Sequence, residues 1–214
     1  MKHKHIFISG IGTDVGKTVS SAVLCQLLKA DYWKPVQSGE LDNTDSMKVE
    51  KLVTFDGFKT LPSRFVFQHP LSPHAAAKLE NREILLDELT LPQNDRLTLI
   101  EGAGGLMVPL NSKGDFYINL LSKWNIPTIL ISRNYLGSIN HTLLSIEALK
   151  NRNIQLLGIV FVGEELPETI SIITESTGLK KLLHIPHFEE VTKNTITEFV
   201  EAEIEVGTLR NFEL

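Results

Sequence analysis

The 214-residue sequence is poor in cysteine, which limits the structures open to it. Its one cysteine, Cys25, has no partner in the chain, so a disulfide framework within a monomer is excluded. Cys25 lies in a strongly apolar stretch of helical period, which is typical of a buried structural thiol rather than a reactive one. A single thiol is compatible with a reducing compartment, and we expect a cytoplasmic protein.

The sequence also lacks long apolar runs and an excess of positive charge. The segment at 6–8 that follows the basic N-terminus is too short for a signal-peptide core. No stretch approaches the roughly 20 apolar residues that cross a membrane. The formal net charge of −5 argues against a non-specific nucleic-acid binder. We therefore expect neither a membrane nor a nucleic acid as a partner.

What the sequence does contain is an alternation of short β-branched apolar runs with longer stretches of helical period. This pattern predicts an α/β fold in a single domain, 1–214, with a mostly parallel sheet covered by helices on both faces. The predicted strands are 5–9, 32–36, 97–101, 128–132, 155–162 and 183–185. The predicted helices are 17–28, 45–53, 74–81, 118–124, 138–150, 168–176 and 195–204. The proline-bearing region 54–73 is predicted to form loops beside the sheet.

The strongest motif is the glycine-rich segment GIGTDVGKT at 10–18, between a predicted strand and a predicted helix. Such a turn directs backbone N–H groups at phosphate oxygens, and the helix N-terminus adds positive potential. Lys17 is expected to reach the β- and γ-phosphates, and the Thr18 hydroxyl to ligate magnesium. The standard pattern has a glycine where this chain has Ile11. The motif predicts a P-loop nucleotide-binding fold, but it does not indicate how the nucleotide is used.

Two carboxylates are candidates for holding the magnesium ion of a bound triphosphate. Glu101 ends an apolar run and precedes small residues, which places it well to face phosphates at the edge of the sheet. Asp45 opens a predicted helix, and from spacing alone it is equally well explained as a helix cap.

Lys34 stands in an otherwise apolar predicted strand, where a lysine is rare unless its ammonium is paired or faces a ligand. We interpret it as a second cation at the phosphate site, suited to stabilising charge during phosphoryl transfer. The alternative is a lysine that extends to solvent from an edge strand.

Taken together, these segments resemble the dethiobiotin synthetase family over residues 5 to 190. The segments that match in order are GxGTDVGKT at 10–18, KPVQSG at 34–39, NTD at 43–45, SPH at 72–74, EGAGG at 101–105 and LGSINH at 136–141. In that family 7,8-diaminopelargonate takes up CO₂ to form a carbamate, and ATP phosphorylates the carbamate. The second amine then closes the ureido ring, so that dethiobiotin, ADP and phosphate are the products.

The resemblance implies a role for each matching residue, with ATP as co-substrate and Mg²⁺ as the metal. Catalysis is expected of Lys17, Lys34 and Thr13, and metal binding of Thr18, Asp45 and Glu101. Nucleotide contacts are expected of Asp14, Val15, Gly16, Lys17, Thr18, Val19, Asp45, Glu101, Gly102, Ala103, Gly104, Pro186, His187 and Phe188. Substrate contacts are expected of Ser38, Ser138 and Asn140. By the same resemblance, the segment 74–77 lines the substrate pocket.

The resemblance further implies a homodimer with its substrate at the subunit interface. Ser138 and Asn140 would then hold the diamino acid's carboxylate in the partner's site, whereas on pattern alone they are ordinary helix caps. One departure concerns Val162, because the family usually has an asparagine there that reads the nucleobase. Valine cannot make that side-chain hydrogen bond.

Two other functions share this nucleotide-binding motif. An amidoligase of cobalamin synthesis normally needs a glutaminase with a nucleophilic cysteine, and Cys25 does not fit that role. A switch ATPase of the chromosome-partitioning kind carries an extra lysine early in the phosphate loop, and residues 9–14 contain none.

Overall fold

The structure is a computed structural model that describes residues 3–212. The strands are β1 (His5–Gly10), β2 (Asp31–Trp33), β3 (Val36–Ser38), β4 (Thr60–Leu61), β5 (Phe65–Phe67), β6 (Thr98–Gly105), β7 (Thr128–Arg133), β8 (Leu156–Val162) and β9 (Lys181–Ile185). The α-helices are α1 (Lys17–Leu28), α2 (Asp45–Leu52), α3 (Pro73–Leu79), α4 (Tyr117–Trp124), α5 (Ser138–Lys150), α6 (Pro167–Thr177) and α7 (Lys193–Glu205). Three short 3₁₀ turns are Leu41–Asn43, Leu86–Glu88 and Thr208–Asn211.

Seven strands form one sheet in the order β4-β2-β6-β1-β7-β8-β9, and each neighbouring pair is parallel. The strands β3 and β5 form a second, smaller parallel pair beside it. Parallel strands need covered faces, which explains why the central strands are mostly apolar on both sides. The predicted fold class, a mostly parallel sheet with helices on both faces, is confirmed.

Side chains alternate between two apolar layers along β1, because successive strand residues point to opposite faces. Ile6 and Ile8 pack with residues of α1 and α7, whereas Phe7 packs with residues of α4. The Cys25 side chain is fully buried in the first layer, as predicted for a structural thiol. No helix among residues 3–212 is long and apolar enough to span a membrane.

Two predictions about the strands were wrong. The predicted strand 32–36 ends at Trp33, because Pro35 cannot donate to a ladder, and the chain resumes as β3 in the small sheet. The region 54–73, predicted as loops, contains β4 and β5. In β5, Phe65 and Phe67 are buried on one side and stack on each other.

Candidate active site

A cavity of about 910 Å³ lies at the carboxyl ends of β1, β2 and β6. In open α/β sheets, ligands bind at this edge of the sheet. The predicted site residues that line it are Thr13, Asp14, Gly16, Lys17, Thr18, Val19, Lys34, Ser38, Asp45, Glu101, Ala103 and Gly104. Residues that are far apart in sequence thus come together in one site.

The phosphate loop connects β1 to α1 and is held close to the sheet. Gly10 must be glycine, because a Cβ there would lie 2.6 Å from the Val15 side chain and 2.8 Å from the Gly12 carbonyl oxygen. Gly16 caps α1 in the left-handed conformation, with a φ of 88° that favours glycine. The glycines that this loop needs sterically are therefore present, although Ile11 departs from the standard pattern.

Lys17 begins α1, and its side chain folds back over the loop. Its Nζ donates a hydrogen bond to the Gly12 carbonyl oxygen at 2.8 Å. Burial lowers the pKa of Lys17 to about 8, against the opposing effect of Glu101. An anionic ligand would raise that pKa again, since a nearby opposite charge favours the protonated amine. The environment of Lys17 therefore suits a cation that pairs with phosphate.

Three oxygen-bearing side chains from three elements meet beside Lys17. The Thr18 hydroxyl lies 3.1 Å from Asp45 Oδ1 and 3.2 Å from Glu101 Oε1. Mg²⁺ prefers oxygen ligands and takes one or two carboxylates, the rest of its shell being water and phosphate. Within residues 3–212, no group of three or more His, Cys, Asp and Glu could hold a metal ion. Two carboxylates with a hydroxyl therefore fit a magnesium–nucleotide site rather than an all-protein metal cage.

Lys34 lies between the same two carboxylates. Its Nζ is 2.7 Å from Asp45 Oδ2 and 3.0 Å from Glu101 Oε1, and it donates to the Gly102 carbonyl oxygen at 3.3 Å. Burial opposes its charge, but Glu101 and Asp45 outweigh burial and raise the pKa of Lys34 well above its ordinary value. Lys34 is thus a buried ammonium that lines the cavity and pairs with two carboxylates, and not a lysine that extends to solvent.

Asp45 is the first residue of α2, and its carboxylate faces the cavity. Thr44, and not Asp45, is the N-cap of α2, because its side chain accepts a hydrogen bond from the Met47 N–H. Burial tends to raise the pKa of Asp45, but the charge of Lys34 and its hydrogen bond lower that pKa below its ordinary value. The helix-cap alternative for Asp45 is therefore wrong, and its carboxylate is ionised.

Glu101 occupies a different place in its strand from the one predicted. The sequence placed it at a strand end, but β6 continues to Gly105, and Glu101 is a buried residue inside the strand. Its Oε2 accepts hydrogen bonds from the Ser21 hydroxyl at 2.7 Å and the Tyr32 hydroxyl at 3.0 Å. Burial, together with Glu101, raises the pKa of Tyr32 well above its ordinary value, so the phenol keeps its proton.

Ser38 and Gln37 lie at the end of β3 on the cavity side. The Ser38 hydroxyl is buried beside the cavity and has no hydrogen-bond partner within the described part of the chain. Gln37, which no sequence pattern singled out, donates to the Gly39 carbonyl oxygen at 3.0 Å and accepts from the Asp45 N–H at 3.4 Å. Its place within the matching segment KPVQSG was the signal that could have identified it from sequence.

Not every predicted site residue lies in this cavity. The Val15 side chain packs in the core, and Gly102 contributes its carbonyl oxygen to Lys34. The remaining predicted residues outside the cavity lining are Pro186, His187, Phe188, Ser138 and Asn140. The cavity wall is formed by residues 70–73 rather than by the predicted segment 74–77, because Pro73 opens α3 and the chain turns away there.

Val162 stands at the end of β8, next to the phosphate loop. A Cβ on Gly16 would lie 3.1 Å from Val162 Cγ1, so the valine packs directly over the start of α1. Nearby, the Arg133 guanidinium donates to the Asp14 carbonyl oxygen at 3.1 Å and ties the loop to β7. Arg133 follows a run of apolar strand residues, and this placement at a strand end could have identified it from sequence as a residue near the site.

The glycine loop between β1 and α1, the Lys17 ammonium over it and the parallel sheet define a P-loop nucleoside triphosphatase. Residues 4–195 match a family model described as an AAA domain. A ParA family ATPase from Chlorobium tepidum superposes with a TM-score of 0.57 at 12% identity, covering 93% of this chain and 99% of that one. The septum site-determining protein MinD from Pyrococcus horikoshii gives a TM-score of 0.53 at 14% identity, covering 98% and 100%. These likenesses show the fold alone.

Similarity in sequence is much higher to one group of enzymes within this class. An ATP-dependent dethiobiotin synthetase from Christiangramia forsetii is 47% identical over 92% of this chain and 95% of its own length. Another from Cytophaga hutchinsonii is 45% identical over 92% and 95%, and one from Afipia carboxidovorans is 44% identical over 89% and 91%. The chain belongs to the dethiobiotin synthetase family.

Proposed function

We propose that this protein is a cyclo-ligase that converts 7,8-diaminopelargonate, CO₂ and ATP to dethiobiotin, ADP and phosphate. The observation that carries the proposal is the convergence of the phosphate loop, two lysines and two carboxylates on one cavity. The names of the relatives supply the substrate class. Biotin synthesis is the process this reaction would serve.

The triphosphate would lie along the phosphate loop, where backbone N–H groups and Lys17 balance its charge. Thr18, Asp45 and Glu101 would hold Mg²⁺, which supplies further positive charge to the β- and γ-phosphates when bound. Lys34, at the floor of the cavity, adds a cation whose charge does not depend on the nucleotide.

In the proposed reaction, one amine of the substrate adds to CO₂ and loses a proton to give a carbamate. A carbamate oxygen attacks the γ-phosphorus, and the bond to the ADP oxygen breaks. The second amine then attacks the carbonyl carbon of the mixed anhydride and loses a proton, phosphate leaves with the bonding electrons, and the ring closes. Each step increases or moves negative charge near Lys17 and Lys34. Positioning and charge stabilisation suffice for such phosphoryl transfer, without a protein nucleophile.

Two hydroxyl groups would contact the reacting molecules. Thr13 lines the cavity and is exposed on the phosphate loop, where its hydroxyl can reach the transferred group. Ser38 lines the same cavity with a hydroxyl that has no partner within residues 3–212, which supports its assignment to the diamino acid.

The nucleobase would lie beyond the phosphate loop, towards β8 and the segment 186–188. Pro186 and His187 are exposed, while Phe188 packs edge-on against Phe199. Val162 offers no hydrogen bond to a base. ATP is the expected co-substrate, and use of other triphosphates is a hypothesis that follows from this valine. Use of ATP also supports the expected cytoplasmic location.

A homodimer would complete the substrate site. Four exposed apolar side chains lie around the start of α5 and the end of β6, namely Met107, Tyr135, Leu136 and Leu144. Met107 and Leu144 both line a second cavity of about 270 Å³. Asn140 is exposed at the first turn of α5, whereas Ser138 is buried beneath it. The apolar patch supports a shared interface that would bring the start of this helix to the partner's site.

The test is incubation with Mg-ATP, ¹³C-labelled bicarbonate and 7,8-diaminopelargonate, followed by mass spectrometry. We expect a product with the mass of dethiobiotin that carries one ¹³C atom, since the ureido carbon comes from CO₂. Omission of ATP should prevent its formation. A diamine recovered unchanged beside hydrolysed ATP would contradict the proposal and favour a switch ATPase.

A further inference from the structure

We infer that Ser21 and Tyr32 are positioning residues that orient the Glu101 carboxylate within the active site. Both donate hydrogen bonds to the same oxygen of Glu101, Oε2, at 2.7 Å and 3.0 Å. The other oxygen, Oε1, lies 3.2 Å from the Thr18 hydroxyl and 3.0 Å from Lys34 Nζ. One carboxylate oxygen is thus committed to the protein interior and the other to the cavity.

Burial of these three side chains keeps the two oxygens of Glu101 in their separate roles. Ser21 and Tyr32 are 0% exposed and Glu101 is 1% exposed, so water does not replace the two hydroxyl donors. A buried carboxylate needs hydrogen bonds, and two neutral donors satisfy Oε2 fully without neutralising the charge. A carboxylate held in this way turns a single oxygen towards its ligands in a fixed direction.

Each positioning residue lies close along the chain to a residue of the active site. Ser21 follows Thr18 by three residues in α1, so the two side chains share one helix face. Tyr32 lies in β2, and Lys34 follows directly after the end of that strand at Trp33. The two hydroxyls therefore fix the Glu101 carboxylate of β6 in position relative to α1 and β2.

This inference rests on the proposed magnesium site, in which Glu101 Oε1 faces the ion. Without the hydroxyl of Ser21 or Tyr32, the carboxylate would be free to turn its second oxygen towards the cavity. Groups that orient metal-binding carboxylates typically contribute about tenfold or more to metal affinity. We therefore expect their loss to weaken the metal site while the nucleotide site stays intact.

The experiment measures two affinities separately for the full chain. Mn²⁺ binding to the protein–ADP complex is followed by electron paramagnetic resonance, and ADP binding is followed by calorimetry in the presence of EDTA. The variants are Tyr32→Phe and Ser21→Ala, each of which removes one hydroxyl. The matched control is Ser20→Ala, since the Ser20 hydroxyl is buried in the same helix and has no hydrogen-bond partner in the described residues.

We expect each test variant to bind Mn²⁺ roughly tenfold more weakly, with metal-free ADP affinity unchanged and the control equal to the wild type. Two independent variants keep the test decisive if one of them fails to fold. Unchanged Mn²⁺ affinity in a folded variant, or an equal loss of both affinities, would overturn the inference and leave the proposed function standing. If the wild type bound no metal with ADP, both the inference and the proposed site would be wrong.

Discussion

At the scale of single residues, the site is organised around one buried ammonium and two carboxylates. Lys34 is paired with both Asp45 and Glu101, so the three groups together carry one negative charge. The net negative charge of these three groups favours the binding of a divalent cation beside the phosphate loop. The pKa of Lys17, about 8, leaves that side chain mostly protonated at neutral pH. Lys17, Lys34, Asp45 and Glu101 therefore carry no net charge together at neutral pH, and a bound cation and nucleotide would add their charges to this neutral set.

Replacement of Lys34 tests this balance. We expect Lys34→Met to reduce diamine-dependent product formation about 100- to 1,000-fold, the usual cost of losing a group that stabilises developing charge. Lys113→Met is the control, because Lys113 pairs with Glu83 at an exposed position away from the cavity. Circular dichroism of both variants establishes that they are folded. A folded Lys34→Met protein with wild-type turnover would show that Lys34 has no part in the reaction.

Cys25 makes stability depend on pH in the alkaline range. Burial, reinforced by Glu101 and Asp31, raises the pKa of the Cys25 thiol well above its ordinary value. The folded state therefore keeps a proton that the unfolded state loses above about pH 8.5. Its contribution is fully present below that pH and is lost as the pH rises. Between pH 7.5 and 9.5, wild type should lose about 1 kcal/mol more unfolding free energy than Cys25→Ala, measured by urea denaturation. Parallel losses would contradict this assignment.

At the scale of elements, local sequence signals predicted the helices better than the strands. The bounds of α1 and α5 agree with prediction, because Gly16 and Gly137 take left-handed conformations that mark both helix starts. The predicted strand 32–36 failed because Pro35 divides it, and β3 then pairs with β5. A pairing between three-residue strands leaves almost no periodic pattern in the sequence, so it could not be predicted.

In the active site, too, only part of the structure could be predicted from local sequence signals. Lys34, Asp45 and Glu101 stand in short motifs of unusual composition, and their roles could be predicted from the resemblance. Ser21 and Tyr32 could not, because their contacts to Glu101 span 80 and 69 residues and look like ordinary core positions in sequence. Long-range contacts of this kind are set by the sheet order rather than by any local pattern.

Within the phosphate loop, the two glycines before Gly16 have different steric roles. In Gly10→Ala the new Cβ would meet Val15 and the Gly12 carbonyl oxygen, whereas in Gly12→Ala it meets only Val15, at 4.0 Å. We expect Gly10→Ala to lower the free energy of unfolding by about 1–3 kcal/mol, the usual cost of overpacking. Gly12→Ala should leave it unchanged or slightly higher. Chemical denaturation of both variants checks this, and equal stabilities would refute the steric argument.

At the scale of the whole molecule, the fold has a binding cavity at one edge of the sheet and an exposed apolar patch near that edge. The parallel sheet brings the carboxyl ends of β1, β2 and β6 to one cavity, which is why motifs from across the chain share a site. The patch of Met107, Tyr135, Leu136 and Leu144 stands near that edge, where the proposed dimer would bury it.

A charge placed in this patch tests the dimer. Leu136 is fully exposed in the single chain, so Leu136→Asp should not disturb folding. In a dimer it would bury an unpaired carboxylate, and we expect the variant to sediment as a monomer with little ligase activity. Glu147→Asp, at an exposed position within α5, serves as the control. A Leu136→Asp dimer with full activity would place the interface elsewhere.

The most direct test of the central claim, that one cavity closes a ureido ring with ATP, is the stoichiometry of phosphate release. Phosphate and dethiobiotin are measured together, with Mg-ATP and bicarbonate present, at increasing 7,8-diaminopelargonate. We predict one phosphate per dethiobiotin at each concentration and almost no phosphate without the diamine. Steady phosphate release that ignores the diamine would contradict the claim.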